Sequence, residues 1–201
     1  MKSLDTEFKI IASAEKLFFQ NGKAGTSMQD IADDAGINRT LLNYYFRTKD
    51  QLFEAVFRNA LASFVPKLAA SLLSDLPIRE YIPLLIDTVI DTMLERPQIP
   101  VFVLHELSTN PERMPQILLS LGVNPEVALT KMKRERIGGL EMDPRQLIMN
   151  VVSLCVFPFA AKPIVSEILY KGDQEAYKQA MIERKSLLKG LMNKLMKEEE
   201  P

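Results

Sequence analysis

An all-α fold is what this sequence predicts, on three observations. No segment sustains the alternation of apolar and polar residues that marks a half-buried strand, whereas apolar residues recur at intervals of three and four along nearly the whole chain. Gly, Pro and Asn stand where such helices would turn. At 201 residues and 47% hydrophobic, the chain can bury a good core, as one compact domain or as a small domain plus a larger one. The formal net charge is −1, so no global basic field announces a nucleic acid or an acidic membrane, and any such contact has to be local. A single cysteine, Cys155, excludes an internal disulfide framework and fits a reducing compartment. Residues 1–20 mix Lys2, Asp5, Glu7, Lys9, Glu15 and Lys16 among their apolar residues, which a secretory signal does not do. The most apolar run, residues 147–161, is broken by Asn150, Ser153 and Pro158 and falls short of the roughly 20 residues of a membrane span. The expectation is a soluble cytoplasmic protein with no membrane partner.

The first helix is expected over residues 5–21, with Phe8, Ile11, Ala12, Ala14, Leu17 and Phe18 as its stripe and Asn21-Gly22 as its stop. Residues 23–26 then deliver Thr26 or Ser27 as the next N-cap, reinforced by Asp30. Residues 27–49, SMQDIADDAGINRTLLNYYFRTK, read as a helix, a glycine turn and a second helix. Ile31, Ala32, Ala35, Ile37, Leu42 and Tyr45 fall where two short, steeply crossing helices touch. Gly36 sits between them, where a tight turn needs positive φ, and Ala32 is small enough for a close approach. Asn38 caps the second of these helices, and Thr48 caps a third that carries Leu52, Phe53, Val56, Phe57 and Leu61 on one side.

The segment TSMQDIADDAGINRTLLNYYFRTKDQLFEAVF closely resembles the DNA-binding segment of the tetracycline-repressor (TetR) family, in its Ile-Ala, Ala-Gly-Ile, Tyr-Tyr-Phe and Lys-x-x-Leu-Phe elements. It covers about the first quarter of the chain. The resemblance implies a three-helix helix-turn-helix domain over residues 1–47, a C-terminal helical ligand-binding and dimerisation domain over residues 48–201, and a double-stranded operator with two-fold symmetry. The sequence departs from the family pattern at Asn43, where members often carry an aromatic residue or histidine.

The residues read by themselves point the same way. Between Gly36 and Lys49 the charged residues are Arg39, Arg47 and Lys49, with no carboxylate among them, so a nearly neutral chain presents a local positive patch. Arg39, Thr40 and Asn43 lie on the side away from Leu42 and Phe46, where an inserted helix offers donors to base edges or phosphates. Tyr44 and Tyr45 carry hydroxyls toward the backbone, with Tyr45 the one whose spacing also suits packing. Lys49 is a candidate phosphate clamp at a helix start, and Thr26, Ser27 and Met28 begin the supporting helix. The competing reading is a plain helical hairpin with core aromatics and solvated arginines.

Further along, Pro66 kinks or ends a helix, and residues 77–96 carry the stripe Ile82, Leu85, Ile86, Val89 and Met93, with Pro83 near enough to the start to be tolerated. In residues 98–110, Ile99, Phe102, Val103, Glu106 and Leu107 share a face, so Glu106 points inward, and His105 points about 100° away. A buried carboxylate is costly unless paired. Met93, Phe102, His105, Glu106, Met149 and Phe157 are the expected lining of a ligand pocket; the alternative is a structural Glu106 paired with an Arg or Lys such as Lys162. Residues 111–121 and 125–137 form two short segments, the second with Lys131, Lys133, Arg134 and Arg136 around Glu135 as a solvated face, ended by Gly138-Gly139. Asp143-Pro144 starts the next helix, and a kink is expected around Pro158 within residues 147–169. In residues 173–197, Tyr177, Met181, Leu188, Leu191 and Leu195 form a stripe that, with the preceding helix, reads as a two-fold four-helix dimer interface. Arg184 on that stripe needs a carboxylate or a place at the rim, and residues 198–201 read as frayed.

The combined expectation is a homodimeric regulator, a repressor, whose two heads enter successive major grooves about 34 Å apart. A small apolar or amphipathic ligand would shift the helix that begins at Thr48 and so change the spacing of the heads. A ligand-independent DNA-binding adaptor of the same fold stays open. An enzyme is disfavoured by a lone histidine, a lone cysteine in an apolar run, and the lack of a glycine-rich phosphate loop or paired-carboxylate motif. No catalytic residue, metal ligand or cofactor is expected.

Overall fold

The computed structural model describes residues 2–135 and 143–196, and among these every regular element is helical. The expected Gly138-Gly139 stop and the tail at residues 198–201 lie outside the described residues. Two compact units result, Met1–Ser63 and Phe64–Pro201. The sequence-based division at residues 47 and 48 separates expected functions; the division by packing falls later, because the helix after Thr48 lies along the first one.

The first unit consists of α1 (Lys2–Asn21), α2 (Met28–Asp34), α3 (Arg39–Tyr45) and α4 (Lys49–Ala62). The buried stripe of α1 is Ile10, Ser13, Ala14 and Phe18, whereas Phe8 and Ala12 from the expected stripe face outward. Phe18 meets Phe53 of α4 edge to face at 5.2 Å between ring centroids. Leu52, Phe53, Val56 and Phe57 bury one side of α4, as their spacing requires.

The second unit consists of α5 (Val65–Leu73), α6 (Ile78–Glu95), α7 (Ile99–Thr109), α8 (Arg113–Ser120), α9 (Pro125–Arg134), α10 (Pro144–Ala160), α11 (Lys162–Tyr170) and α12 (Gln174–Leu195). Its core runs along α6, where Ile82, Ile86, Val89, Ile90 and Met93 pack with Val151, Cys155 and Phe159 of α10 and Met181, Leu188 and Met192 of α12. Two ion pairs line the α6 and α12 contact, Asp87 with Lys189 at 2.6 Å and Asp91 with Lys185 at 2.8 Å. Burial pushes the Cys155 thiol up to about 11, leaving it a protonated core residue near neutral pH.

The bend expected around Pro158 falls instead after Ala160, where α10 meets α11 at 76°. Pro158 sits in the last turn of α10 and has no N–H to give the Leu154 carbonyl four residues back. Arg184 of α12 supplies the missing donor, its Nε 3.0 Å from that carbonyl. Arg184 thus finds a carbonyl rather than a carboxylate. The Tyr177 hydroxyl donates to the Pro158 carbonyl at 3.2 Å, and burial, then Tyr170, pushes the phenol up to about 12. Among the described residues no single helix is long and apolar enough to cross a membrane, although α10 and α11 together have the length and composition across their bend.

The basic segment of α9 is more than a solvated face. Lys131 donates to the carbonyls of Leu72 and Ser74 at the end of α5, at 3.3 and 2.7 Å, and Glu135 accepts from the Ile78 N–H at the start of α6 at 2.7 Å. Cation and carboxylate therefore close two helix ends of opposite polarity. Lys133 and Arg134 are exposed.

Candidate nucleic-acid interface

The turn between α2 and α3 is a Schellman motif. Gly36 takes φ +67°, its N–H donates to Asp33 at 3.1 Å, and the Ile37 N–H donates to Ala32 at 3.0 Å. Asn38 then caps α3 by accepting from the Leu41 N–H at 2.8 Å. Leu42 and Phe46 anchor α3 in the core, which leaves Arg39, Thr40, Asn43 and Tyr44 together on the open side. Tyr44 is 79% exposed. Tyr45 is half-buried and stacks edge to face on it at 5.4 Å. A groove of 480 Å³ beside the end of α3 is lined by Tyr44, Tyr45, Arg47, Gln51 and Arg58 among others. The sequence-based expectation omits Gln51 and Arg58, although Gln51 lies four residues beyond Arg47 and Arg58 seven beyond Gln51, both on α4.

Two expected contacts turn inward. Thr26 is buried, its hydroxyl donating to the carbonyls of Leu17 and Gly22 at 3.1 and 2.9 Å, so it closes the end of α1 instead of facing a groove. Met28 is buried in the same core. Ser27, the exposed one of the three, is the N-cap: its hydroxyl accepts from the Asp30 N–H, and the Asp30 carboxylate accepts from the Ser27 N–H. Lys49 is half-buried and donates to the Thr26 carbonyl at 3.1 Å.

The carboxylates nearest this surface are engaged. Asp33 accepts from Gln29 at 2.8 Å, Asp34 pairs with Lys16 and Asp50 with Lys23. Lys16 and Lys23 offset the charges of Asp34 and Asp50, whereas the neutral Gln29 amide leaves that of Asp33 in place; Arg39 and Arg47 stand in a stretch, residues 36–49, that has no carboxylate of its own. The Asp30 carboxyl is held below its usual value by hydrogen bonds from the Ser27 backbone and hydroxyl, and that of Asp34 by the Lys16 ammonium and then Ser13. In the second unit Arg145 holds Asp143 down at about 2. A depressed carboxyl stabilises the folded state fully above its unfolded value, near 3.8 here, and that contribution is lost as pH falls through the folded value. The melting temperature, followed by circular dichroism, is therefore expected to hold from neutral pH to about 5 and to decline toward about 2. A decline already complete above pH 5 would assign acid lability to other groups.

The expected ligand pocket is not assembled as one wall. Met93, Phe102 and Glu106 are buried, whereas His105, Met149 and Phe157 are exposed, Phe157 by 66%, because α10 turns Val151, Cys155 and Phe159 to the core instead. Leu107 is also exposed. Glu106 pairs with Arg113, Oε1 to a guanidinium nitrogen at 2.9 Å, and not with Lys162, whose ammonium lies 5.5 Å from the Tyr177 ring centroid. Among the described residues no group of three or more His, Cys, Asp or Glu side chains is placed to hold a metal. In the expected dimer stripe, Tyr177, Met181 and Leu188 are spent on the core of their own chain, Leu195 is half-buried, and Leu191 is exposed. The open apolar side chains of α11 and α12 include Ile164, Ile168 and Leu169 on the first and Ile182, Leu187 and Leu191 on the second.

Residues 10–56 match the family model described as bacterial regulatory proteins, tetR family. A probable helix-turn-helix transcriptional regulator, YttP of Bacillus subtilis, is 26% identical over 87% of this chain and 86% of its own. The regulator RutR of Escherichia coli is 38% identical over 37% of each chain. Among solved structures, a TetR family transcription regulator from Marinobacter aquaeolei superposes with a TM-score of 0.65 and 20% identity, covering 92% of this chain and 97% of its own. The regulator FadR of Bacillus subtilis, solved with stearoyl-CoA, does so with a TM-score of 0.65 and 13% identity, covering 90% and 96%.

Proposed function

This chain belongs to the TetR family of bacterial regulatory proteins, and on that premise we propose that it is a ligand-responsive repressor that binds a palindromic operator as a homodimer. One observation carries the DNA half: the Schellman turn and the buried Leu42 and Phe46 leave Arg39, Thr40, Asn43 and Tyr44 on one open face of α3. Inserted in a major groove, Arg39, Thr40 and Asn43 donate to base edges or phosphates, Tyr44 and Ser27 flank them, and the two remaining Lys49 N–H groups meet a phosphate. Arg39→Ala or Thr40→Ala is expected to alter preference at particular base pairs. Lys49→Ala should weaken all duplexes alike and lower the salt slope by about 1. A gel-shift series on a duplex selected from a random library, in which all three variants bind like the parent, sinks the assignment.

The dimer is proposed to form on α11 and α12 through Ile164, Ile168, Leu169, Leu187 and Leu191, with Leu195 at its edge, while Tyr177, Met181 and Leu188 support that surface from behind. Ile168 is 73% exposed. Ile168→Glu is expected to give a monomer by light scattering and to cost binding to a palindrome more than to a half-site. A variant that stays dimeric moves the interface elsewhere.

A small apolar or amphipathic effector is proposed to bind the second unit near Met93, Phe102 and Glu106, with a coupling to DNA of about 1–3 kcal/mol. The stearoyl-CoA of the FadR structure supports a second unit of this architecture as a ligand holder. The adaptor reading is favoured by the outward placement of His105, Met149 and Phe157. Release of the selected duplex by stearoyl-CoA or another small molecule decides for the effector.

A further inference from the structure

Two side-chain bridges running in opposite directions join the loop between α1 and α2 to the first turn of α4. Lys23 of the loop reaches forward to Asp50, Nζ to Oδ1 at 2.5 Å, and Lys49 of α4 reaches back to the Thr26 carbonyl at 3.1 Å. The Lys23 side chain is only 19% exposed, and its ammonium lies 4.7 Å from the centroid of the buried Phe53 ring. Thr26 is pinned from the other side by its hydroxyl on Leu17 and Gly22. The next residue is Ser27, the cap of α2, and α2 carries α3 through the Schellman turn. The position of the open α3 face relative to α4 is therefore set at the loop as well as at the connector after Phe46.

We propose that Lys23 and Asp50 are positioning residues for DNA reading, which hold the start of α2 against α4 without touching DNA themselves. This rests on the DNA-binding function proposed above. Charge alone predicts the opposite sign for one of them: removing an acid beside a DNA-reading helix relieves repulsion and tightens binding, whereas removing a strut weakens it.

Affinities for a duplex selected with the parent protein from a random library, read by fluorescence anisotropy over a salt series, test this. Asp50→Asn and Lys23→Met are each expected to weaken binding roughly threefold to tenfold, with helical content retained by circular dichroism. The salt slope should stay as in the parent because no phosphate contact is lost. Lys23→Arg, which keeps the pair and the ring contact, should bind like the parent. Asp50→Asn binding as tightly as the parent or more so, or Lys23→Arg binding as weakly as Lys23→Met, overturns the positioning role. A parent protein that selects no duplex overturns the DNA reading itself.

Discussion

Arg113→Ala is expected to destabilise the second unit by about 3–5 kcal/mol, as breaking a buried pair leaves its partner uncompensated. Glu106 is fully buried on α7, and Arg113 opens α8 after a short corner. Their 2.9 Å contact is close but poorly aligned, since neither Glu106 oxygen takes part in a directional hydrogen bond. The attraction is therefore mainly coulombic, and the guanidinium is what the carboxylate depends on. Because the Arg113 side chain is 21% exposed, water can reach the vacated position in part, which favours the lower end of the range. Glu106→Gln should cost less, and Glu106→Leu with Arg113→Leu should recover most of the loss. Urea midpoints at constant slope measure all three. An Arg113→Ala loss under about 1 kcal/mol would show that Glu106 is compensated elsewhere.

Phe53→Ala is expected to cost about 3–5 kcal/mol in the first unit. Phe53 is fully buried, meets Phe18 edge to face and carries the Lys23 ammonium over its ring. Its removal opens a cavity where α1, α4 and the loop before α2 meet. A unit of this size holds little reserve, so the variant should lose most DNA binding. Hydrogen exchange gives the sharper reading: amides of α1 to α4 should exchange faster while those of α6 and α12 keep their protection. Equal acceleration in both units would mean that they unfold together.

What was legible in the sequence was local. Gly36 declared its positive φ, Asn38, Thr48 and Asp143 declared helix starts, and the start of α2 was narrowed to Thr26 or Ser27, of which Ser27 is the cap, because caps and turns are decided by residues within a few positions. The open face of α3 followed from two anchors, Leu42 and Phe46. Less legible was which partner an apolar face meets. Periodicity defines a stripe on α12, but only the packed chain shows that Tyr177, Met181 and Leu188 meet their own core while Leu187 and Leu191 stay open. Along α10, both sides are apolar, so the pattern alone allows Met149 and Phe157 to face inward, whereas the core takes Val151, Cys155 and Phe159. The inward charge of Glu106 was readable from its neighbours. Its partner was not, because Arg113 arrives through a corner whose angle no short pattern encodes.

Pro158 and Arg184 have a genealogical consequence. Proline at 158 removes one rung of α10, and the guanidinium of α12 stands in for it at Leu154. A descendant that replaces the proline regains its own backbone donor and releases residue 184 from that duty. A descendant that replaces the arginine first keeps an orphaned carbonyl beside the bend. Losing the guanidinium is therefore expected to cost more stability while the proline is present than after it is gone.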